Sequence, residues 1–586
     1  MCIDLSVTDK RTGRVWTQIA LPAGPMVSSA RAADGGLDLE LIMPETASTL
    51  SAGVRLDGDR PELTVELRGQ GDLASAVRFP NPFATRKGDL LIMPVNEGIS
   101  YPADDASLPE MSYILYGGHG ICMAWYGVTG GGAGGTTGGD GMMAVVETPD
   151  DASVGVPRRD GLLVEAPQWD PQRGAFGPAR RIRYVFLADG GYVAMAKRYR
   201  AYAQQTGLLK TLAEKRQKKP AVDMLVGAVN VWCWQPNAPD VCRRMQSLGI
   251  GRILWSNGCP PAQIAEMNSL GVLTSRYDIY QDVMNPANFP KLQWQHPDWP
   301  TEAWPKDCIV GADGKLINGW MVEGKNGQNY YCNVLCDLLA PDYARRRIGA
   351  ELKDHAYRCR FIDTTTASPW RECYSPDHPM TRTQSRQAKM ELLRVVSDEF
   401  GLVCGSETGH DASVPYAYYF EGMMSLGPYR TSDSGRAMQE ILEKVPENLA
   451  KFQTGHFYRL PLWELVYHDC VVAQWYWGDY NNKLPALWDR RDLFNALYAT
   501  PPMFMFDAKV WDRYEKRFVQ SYGASAAVVR ACGYSEMLDH RWLTADHSVQ
   551  QTRFANGVTV TANFGYAPYP MPGGALAPMS KRVEGL

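Results

Sequence analysis

The sequence predicts a multidomain chain of mixed α/β and all-β class: a central (β/α)8 barrel of the TIM type, flanked by an N-terminal β-sandwich and a small C-terminal β domain. The chain has 586 residues, more than the ~250–300 at which a single hydrophobic core stops growing. Segments near both ends alternate apolar and polar residues with period two, whereas the central part alternates short apolar runs with helical patterns.

The N-terminal part, residues 1–190, is predicted to form the β-sandwich. The stretches LDLELIMP and PELTVELRG alternate apolar and polar residues, and turn residues separate them. Residues 191–220 then predict one amphipathic linker helix, because alanines and a tyrosine-methionine stripe recur at helical spacing up to Pro220.

The central part, residues 221–525, is predicted to form the catalytic barrel, with an insertion at 284–340. Apolar runs such as VNVWCW, RILWSNG, VLTSRYDIY, YRCRFIDTT, LVCGSETG and TPPMFMFD predict strands, and amphipathic segments between most of them predict helices. Such alternation is typical of parallel βα units. Because residues 221–525 contain no Gly-x-Gly-x-x-Gly fingerprint, a closed barrel is favoured over a dinucleotide-binding fold.

The C-terminal part, residues 526–586, returns to a β pattern. Two alternating runs between 547 and 569 meet at Asn556-Gly557, a strong hairpin signal. We therefore predict a small β domain here.

Composition limits the classes of partner and cofactor. The net charge of −4 gives no electrostatic reason to expect nucleic acid or an anionic membrane, and no apolar run is long enough to span a bilayer. The first residues lack the apolar core of a signal peptide, so we expect a cytoplasmic protein, or a periplasmic or secreted one if the sequence is trimmed. The 13 cysteines are scattered, and Cys332 and Cys336 have no histidine pair beside them, so zinc is not expected. We expect no metal and no cofactor.

Polar and aromatic side chains gather at the predicted carboxyl ends of the central strands, where the active sites of such barrels form. Carboxylates together with many indoles and phenols are typical of carbohydrate sites, because aromatic faces stack on sugar rings and carboxylate pairs cleave glycosidic bonds. The residues collected in this way are Asn230, Trp232, Trp234, Trp255, Asn257, Arg276, Tyr277, Asp278, Asp282, Asp363, Thr364, Ser406, Glu407, His410, Glu464, His468, Asp469, Trp475 and Trp477.

Each of these residues also has a structural explanation when it is taken alone. An aspartate at a strand end often caps the next helix, His468-Asp469 could be a buried pair, and tryptophans usually pack in cores. Their concentration on one predicted rim favours the sugar-binding interpretation.

Three motifs carry a resemblance to a known family. FIDTTTASPW (361–370), VCGSETGHD (403–411) and VYHDC (466–470) resemble glycoside hydrolase families 129 and 101, and family 129 fits better. The similarity extends from VTDKRTGRVW (7–16) through RFPNPFATRKGDLLIMPVNEG (78–98) to TRFANGVTVTANF (552–564). It implies a retaining α-glycosidase with an α-amylase-like barrel, an N-terminal β-sandwich and a C-terminal β domain.

The resemblance also implies roles for particular residues. Asp363, after the fourth strand, would be the nucleophile, and Glu407, after the fifth, would be the acid/base. Asp278, His468 and Asp469 would be substrate ligands. From their places at strand ends we add further substrate-binding candidates: Tyr277, Trp232, Asn257, Thr364, His410 and Trp475.

The predicted function is a retaining, exo-acting α-glycoside hydrolase that removes a terminal galacto-configured sugar, N-acetylgalactosamine or galactose, from an oligosaccharide or glycan. The run Thr364-Thr365-Thr366 stands where the family leads us to expect acidic residues or glycines, which leaves the sugar open. One alternative is a 3,6-anhydro-D-galactosidase acting on red-algal oligosaccharides. Others are a transglycosylase and, from another class, a catalytically silent carbohydrate-binding protein. Tryptophans of the first strand and the insertion are expected to wall the pocket: Trp232, Trp294, Trp299, Trp304 and Trp320.

Overall fold

The fold is taken from a computed structural model, which describes residues 5–22, 24–44, 48–117, 120–130, 139–432, 435 and 438–586. It contains three regions of different secondary structure along the chain: antiparallel sheets, then parallel strands with helices, then a second antiparallel sheet.

The N-terminal region is built on a nine-stranded antiparallel sheet in the order β3-β4-β5-β6-β16-β11-β10-β7-β8. A three-stranded sheet, β15-β12-β9, shares its hydrophobic core, to which both sheets contribute buried side chains. The strands are β1 (Ser6–Thr8), β2 (Val15–Thr17), β3 (Met26–Ala33), β4 (Gly36–Ile42), β5 (Thr49–Leu56), β6 (Glu62–Arg68), β7 (Asp89–Met93), β8 (Ile99–Pro102), β9 (Met111–Ile114), β10 (Trp125–Gly130), β11 (Gly141–Val146), β12 (Ala152–Val156), β13 (Arg158–Arg159), β14 (Leu162–Leu163), β15 (Ala166–Trp169) and β16 (Arg180–Leu187).

The predicted single linker helix is wrong, because two helices occupy this stretch: α1 (Gly191–Gln205) and α2 (Leu212–Lys218). Gly207 adopts a left-handed backbone (φ 78°), which ends α1 as glycine commonly does. Thr211 then starts α2 with a capping box, its hydroxyl accepting from the amide of Glu214.

The central region contains only parallel strand pairs in its two main sheets, a four-stranded sheet β19-β18-β17-β28 and a five-stranded sheet β20-β24-β25-β26-β27. The short strands β19 and β20 are separated by two residues within the predicted third strand. The strands are β17 (Val229–Cys233), β18 (Ile253–Trp255), β19 (Leu273–Thr274), β20 (Tyr277–Asp278), β24 (Cys359–Ile362), β25 (Val403–Glu407), β26 (Tyr419–Glu421), β27 (Val472–Gln474) and β28 (Met503–Phe506).

Helices follow or precede most of these strands, as the alternation predicted. They are α3 (Val222–Leu225), α4 (Ala238–Ser247), α5 (Pro261–Ser269), α6 (Ala340–Glu351), α7 (Arg382–Arg394), α8 (Leu462–Tyr467), α9 (Trp488–Tyr498) and α10 (Ala508–Cys532). Short 3-10 segments lie at Pro149–Asp151, Pro286–Lys291, Thr301–Ala303, Asp411–Ser413, Gly427–Tyr429, Asn481–Lys483 and Pro485–Leu487, and π-helical turns at Val395–Glu399 and Leu449–Gln453.

The insertion between β20 and α6 forms its own small antiparallel sheet in the order β21-β23-β22. Its strands are β21 (Asp282–Val283), β22 (Asn318–Glu323) and β23 (Asn329–Val334). A small core of its own, including Met284, Leu292 and Trp299, holds it together.

The C-terminal strands form a four-stranded antiparallel sheet, β29-β30-β31-β34, with a hairpin β32-β33. The predicted hairpin at Asn556-Gly557 is present between β30 and β31, and Gly557 has the positive φ (91°) that such a turn favours. The strands are β29 (Met537–Trp542), β30 (Val549–Phe554), β31 (Thr559–Asn563), β32 (Tyr569–Met571), β33 (Gly574–Leu576) and β34 (Ser580–Glu584).

Two further findings bear on the sequence expectations. Within the described residues, no helix combines the length and the apolar composition that crossing a membrane requires. The twelve cysteines that the structure describes are all free thiols.

Candidate active site

A cavity of about 410 Å³ opens where several central strands end. This volume is in the range of pockets that hold small ligands. Its described lining residues are Trp232, Trp234, Asn257, Gly258, Tyr277, Ile279, Asp282, Trp294, His296, Pro297, Asp298, Trp299, Trp320, Asp363, Thr364, Glu407, Gly435, Met438, Tyr476 and Trp477.

Asp363 follows the last residue of β24 and is almost fully buried. The phenol of Tyr277 donates a hydrogen bond of 2.6 Å to its Oδ2 atom, while Oδ1 accepts none from the described donors. Burial raises the pKa of the Asp363 carboxyl, the charge of Glu407 raises it further, and the Tyr277 hydrogen bond opposes the rise. One carboxylate oxygen is thus held by a donor and the other is left available.

Glu407 is the last residue of β25, the strand that pairs in parallel with β24. Its side chain is half-buried, and it lies near enough to Asp363 for its charge to raise the pKa of the Asp363 carboxyl. Burial raises the pKa of the Tyr476 phenol, and so do the charge of Glu407 and a hydrogen bond with its carboxylate. Each carboxyl group of the pair therefore has its own tyrosine partner.

A residue with left-handed backbone follows each of these two carboxylates. Thr364 has a φ of 59° and Thr408 a φ of 43°, a conformation that β-branched residues adopt only when the surroundings impose it. The hydroxyl of Thr366 donates to the Glu407 carbonyl, and that of Ser406 donates to the Ile362 carbonyl at 2.6 Å. These two hydrogen bonds fix the carboxyl ends of β24 and β25 relative to each other.

Aromatic rings form much of the cavity wall. The ring centroid of Trp232 lies 6.0 Å from that of Trp234 and 5.4 Å from that of Trp477. From the insertion, Trp294 stacks on Trp299 at 5.8 Å. Of the five tryptophans expected in the wall, four line the cavity; Trp304 instead donates its indole N–H to Asn333.

Asp282 is a third carboxylate on the cavity wall. Burial raises its pKa to about 6, and the Trp320 backbone amide, which donates to its Oδ1 at 3.1 Å, opposes the rise. A Cβ at Gly319 would come within 2.3 Å of the same oxygen, so glycine is what allows β22 to approach so closely.

A buried polar network lies beneath the cavity. Glu421, the last residue of β26, accepts hydrogen bonds from the Asn230 amide at 2.6 Å and the Trp232 indole at 3.2 Å. Burial raises the pKa of Glu421 to about 8, and both hydrogen bonds oppose the rise. Asn230 also donates to Gln474, which joins β17 to β27 across the interior.

Of the eleven residues given a catalytic or substrate-binding role from the sequence, six line the cavity: Asp363, Glu407, Tyr277, Trp232, Asn257 and Thr364. Trp234, Asp282 and Trp477, which were collected at the same strand ends, line it as well. Asp278 does not, and its prediction as a sugar ligand is corrected. Because side chains alternate along a strand, Tyr277 faces the cavity and Asp278 faces the other way. There it pairs with the guanidinium of Arg360 at 2.5 Å, and both side chains are fully buried.

His468 and Asp469 are also corrected, because they lie before β27 instead of after it. The sequence FYRLPLWELVYHDCVVAQWYW (457–477) predicts a strand that would end near His468, but its first half contains α8, and His468 follows that helix. Its ring nitrogens bond the carbonyls of Ser535 and Ala499, while Asp469 pairs with Arg200 at 2.8 Å. Both residues hold the central region to its neighbours, remote from the cavity.

His410 and Trp475 likewise lie outside the cavity lining. The His410 ring packs against Tyr116 and Trp370, with centroids 5.1 and 5.7 Å away. Trp475 is fully buried and donates its indole N–H to Asn495 at 3.0 Å. These two residues are structural, contrary to the prediction.

Tyr476 and His296 line the cavity but were not predicted to do so. The alternation of side chains along a strand could have identified Tyr476. Gln474 points to the interior network, so Tyr476, two residues later, points the same way and Trp475 points the other way. His296 lies in the insertion, whose path the sequence pattern did not define.

Paired carboxyl groups on neighbouring parallel strands, inside an aromatic cavity, are the arrangement of a glycoside hydrolase. The model of a family described as glycosyl hydrolases related to GH101 family, GH129, matches residues 244–440 and 441–553, which is more than half of the chain. The chain therefore belongs to this family and is a glycosidase.

Comparison with solved structures agrees on the fold. The ligand-free α-N-acetylgalactosaminidase NagBb from Bifidobacterium bifidum superposes with a TM-score of 0.73 at 20% identity, covering 96% of this chain and 98% of that one. Its GalNAc complex gives the same TM-score at 19% identity, covering 96% and 97%. The GH36 α-galactosidase AgaB from Geobacillus stearothermophilus gives 0.51 at 10% identity, covering 95% and 80%. A search of curated protein sequences found no match.

Proposed function

We propose that this chain is a retaining, exo-acting α-glycoside hydrolase that removes a terminal galacto-configured sugar by double displacement. The observation that carries the proposal is the placement of Asp363 and Glu407, two carboxyl groups at the ends of adjacent parallel strands that line one cavity. Retaining glycosidases place their carboxyl groups about 5–5.5 Å apart, close enough for one to attack the anomeric carbon directly, whereas inverting enzymes leave room for a water.

The tyrosine partners support an assignment of roles within the pair. The Tyr277 hydroxyl donates to Asp363 and stabilises its anion, which supports Asp363 as the nucleophile and leaves the acid/base role to Glu407. Glu407 is also the more exposed of the two, as befits an acid that must reach the leaving oxygen and then a water.

Each half-reaction then uses residues that face the cavity. Asp363 Oδ1, which accepts no hydrogen bond from the described donors, attacks the anomeric carbon while Glu407 protonates the departing oxygen. In the second step Glu407 removes a proton from water, which displaces Asp363 and regenerates both groups.

The insertion supports exo-action. Its aromatic residues Trp294, Trp299 and Trp320 wall the cavity together with Trp232 and its neighbours. A cavity bounded in this way accommodates the end of a glycan more readily than an internal unit. Time-resolved product analysis tests this: monosaccharide released from the first time point is expected, and internal fragments at that time would contradict it.

The proposed sugar is a terminal α-linked N-acetylgalactosamine. NagBb, whose name gives this specificity, shares the fold over nearly the whole of both chains. The second candidate, 3,6-anhydro-galactose, is favoured by a different observation: six indoles line the cavity, and the described lining residues include no lysine or arginine. An anhydro sugar presents fewer hydroxyls and suits such a surface.

A substrate panel tests the sugar. Aryl α-N-acetylgalactosaminide, aryl α-galactoside and anhydro-galactose-terminated oligosaccharides are compared by kcat/KM, and the first is expected to be hydrolysed fastest. Proton NMR of the initial product anomer tests retention in the same reaction. No turnover on any of the three, with binding retained, would instead indicate a carbohydrate-binding protein.

The architecture is proposed to be the (β/α)8 barrel with flanking β domains. Residues 273–278 support barrel formation, since the Ser275 amide bonds Trp255 on one side and the Arg276 carbonyl accepts from Phe361 on the other, both at 2.8 Å. This segment thereby links the two parallel sheets. We place the β-sandwich at 1–190, the linker at 191–220 and the barrel from 221. Helix α10 spans the boundary predicted at 525/526, so the last domain is proposed to begin after it.

A further inference from the structure

Two cysteines and a histidine meet in the small core behind the insertion. Cys336 follows β23, whereas Cys373 and His378 lie between β24 and α7, in the segment that begins at Asp363. One ligand atom from each of the three side chains lies within 4.8 Å of the others, and all three residues are buried. Because Cys336 is far from the other two residues in the sequence, no local pattern predicts that the three cluster.

The distances suit a tetrahedral metal. With zinc–sulfur bonds of about 2.3 Å and zinc–nitrogen bonds of about 2.0–2.1 Å, a tetrahedral site places sulfur and nitrogen about 3.6 Å apart. Cys373 Sγ lies 3.3 Å from His378 Nδ1. Met380 Sδ, 3.9 Å from Cys336 Sγ, provides a fourth soft atom at the same place.

The histidine is held in the tautomer that a metal requires. Its Nε2 atom lies 2.9 Å from the Lys306 carbonyl oxygen, which can only accept, so Nε2 carries the proton. In the neutral ring Nδ1 is then bare, and its lone pair points to the cysteines. Metal-bound histidines are characteristically oriented in this way, with the distant N–H donated to a carbonyl or carboxylate.

The surrounding backbone holds the three side chains in place. Cys373 and Met380 exchange both backbone hydrogen bonds, at 2.9 and 3.1 Å, and form a small antiparallel turn around His378. The Cys336 amide donates to Asp307 at 2.8 Å.

We propose that Cys336, Cys373 and His378 bind a thiophilic d10 cation, Zn²⁺ or Cu⁺, in a structural site that clamps the insertion to the segment following Asp363. Thiolate and imidazole ligands select such ions over Mg²⁺ or Ca²⁺. The clamp joins the element that carries the aromatic wall to the one that carries Asp363. A site of this kind contributes stability, and its existence does not depend on which sugar the cavity takes.

Metal analysis of the full-length protein tests the proposal. Purified without chelators and under reducing conditions, it is expected to contain about one zinc or copper ion per chain, and elemental analysis distinguishes the two. Cys373→Ser and His378→Gln should lower the metal affinity at least about tenfold. Cys332→Ala is the matched control, because Cys332 is equally buried in the same insertion and outside the cluster; it should retain the metal.

A spectroscopic measurement on the wild-type protein tests the proposal even if the variants fail to fold. Co²⁺ added to the metal-free protein should give the intense thiolate-to-cobalt charge-transfer band of a two-cysteine site, and Zn²⁺ should abolish it. The proposal is overturned if the protein holds no metal and no such band develops. Mass spectrometry that finds a Cys336–Cys373 disulfide in the protein as isolated would overturn it as well.

Discussion

Replacing Tyr277 by phenylalanine removes the phenol that donates to Asp363 Oδ2 and leaves the ring in place. The bond is short, at 2.6 Å, and its acceptor is a buried carboxylate. Hydrogen bonds to charged groups contribute about 1.5–3 kcal/mol, and about 1.36 kcal/mol corresponds to one pKa unit. The variant should therefore raise the pKa of Asp363 by about one to two units.

The sign of this change can be read in the pH profile. The hydrogen bond favours the ionised form of Asp363, the proposed nucleophile, so its loss keeps Asp363 protonated to higher pH and moves the acidic limb of the kcat/KM profile to higher pH. Below the displaced limb, kcat/KM should fall about 10- to 100-fold, in proportion to the ionised fraction of Asp363. At pH values well above the Asp363 pKa of both proteins, the kcat/KM of the variant should approach that of the wild-type enzyme.

Tyr280→Phe is the matched control for this prediction. Tyr280 also donates to a buried aspartate, 2.7 Å from Asp278 Oδ2, but outside the cavity. This control should lower stability and leave the acidic limb unmoved. An acidic limb that stays in place in Tyr277→Phe, or that shifts equally in both variants, would refute the reasoning.

Three further predictions follow from the same structure. Asp363→Asn should abolish turnover, and Glu407→Gln should slow hydrolysis of a natural glycan by about 10²–10⁴ while sparing an aryl glycoside with an activated leaving group; equal losses on both substrates would contradict the assigned roles. Asp278→Asn removes one of the two carboxylates that pair with the buried Arg360 guanidinium and leaves Glu351 as the other, so it should lower the free energy of unfolding in urea by up to about 3 kcal/mol, with kcat/KM of the folded enzyme little changed; unaltered stability would contradict a structural role for Asp278. The pKa of Glu421, raised to about 8 by burial, means that the folded state releases its proton at higher pH than the unfolded state. Stability is therefore lost as pH rises from the unfolded value toward 8, and Glu421→Gln should unfold with less pH dependence across that window, whereas an identical dependence in both proteins would argue against this shift.

The parts of the fold that the sequence predicted well are those with a strong local period. The hairpin at Asn556-Gly557 and most central strands follow from residues adjacent in the chain. Strand β26 was not predicted, because only a 3-10 turn lies between it and β25, and therefore no helical pattern precedes it in the sequence. The end of α1 near Gly207 was not predicted either. The alanine-rich helical pattern continues to Gln205, and the turn that follows it has only two residues, so the pattern reads as one continuous helix.

The site was predicted as far as strand ends could be located. Asp363, Glu407 and Tyr277 lie where each apolar run stops, and their inward direction follows from the period of two. The errors at His468 and Trp475 have one cause, which is the misplaced position of β27. When a strand is shifted by a few residues, a residue before it is taken for one after it, and a side chain on one face is taken for one on the other. Contacts between distant segments, such as Cys336 with Cys373, leave no local pattern at all.

The most direct test of the paired-carboxylate mechanism is to trap the glycosyl-enzyme. Glu407→Gln, given an aryl α-glycoside with a good leaving group, should form the covalent intermediate and hydrolyse it slowly. Peptide mapping by mass spectrometry is predicted to find the added sugar on the fragment that contains Asp363. A sugar attached to Asp282 instead, or an unmodified protein that releases a product of inverted configuration, would contradict the account.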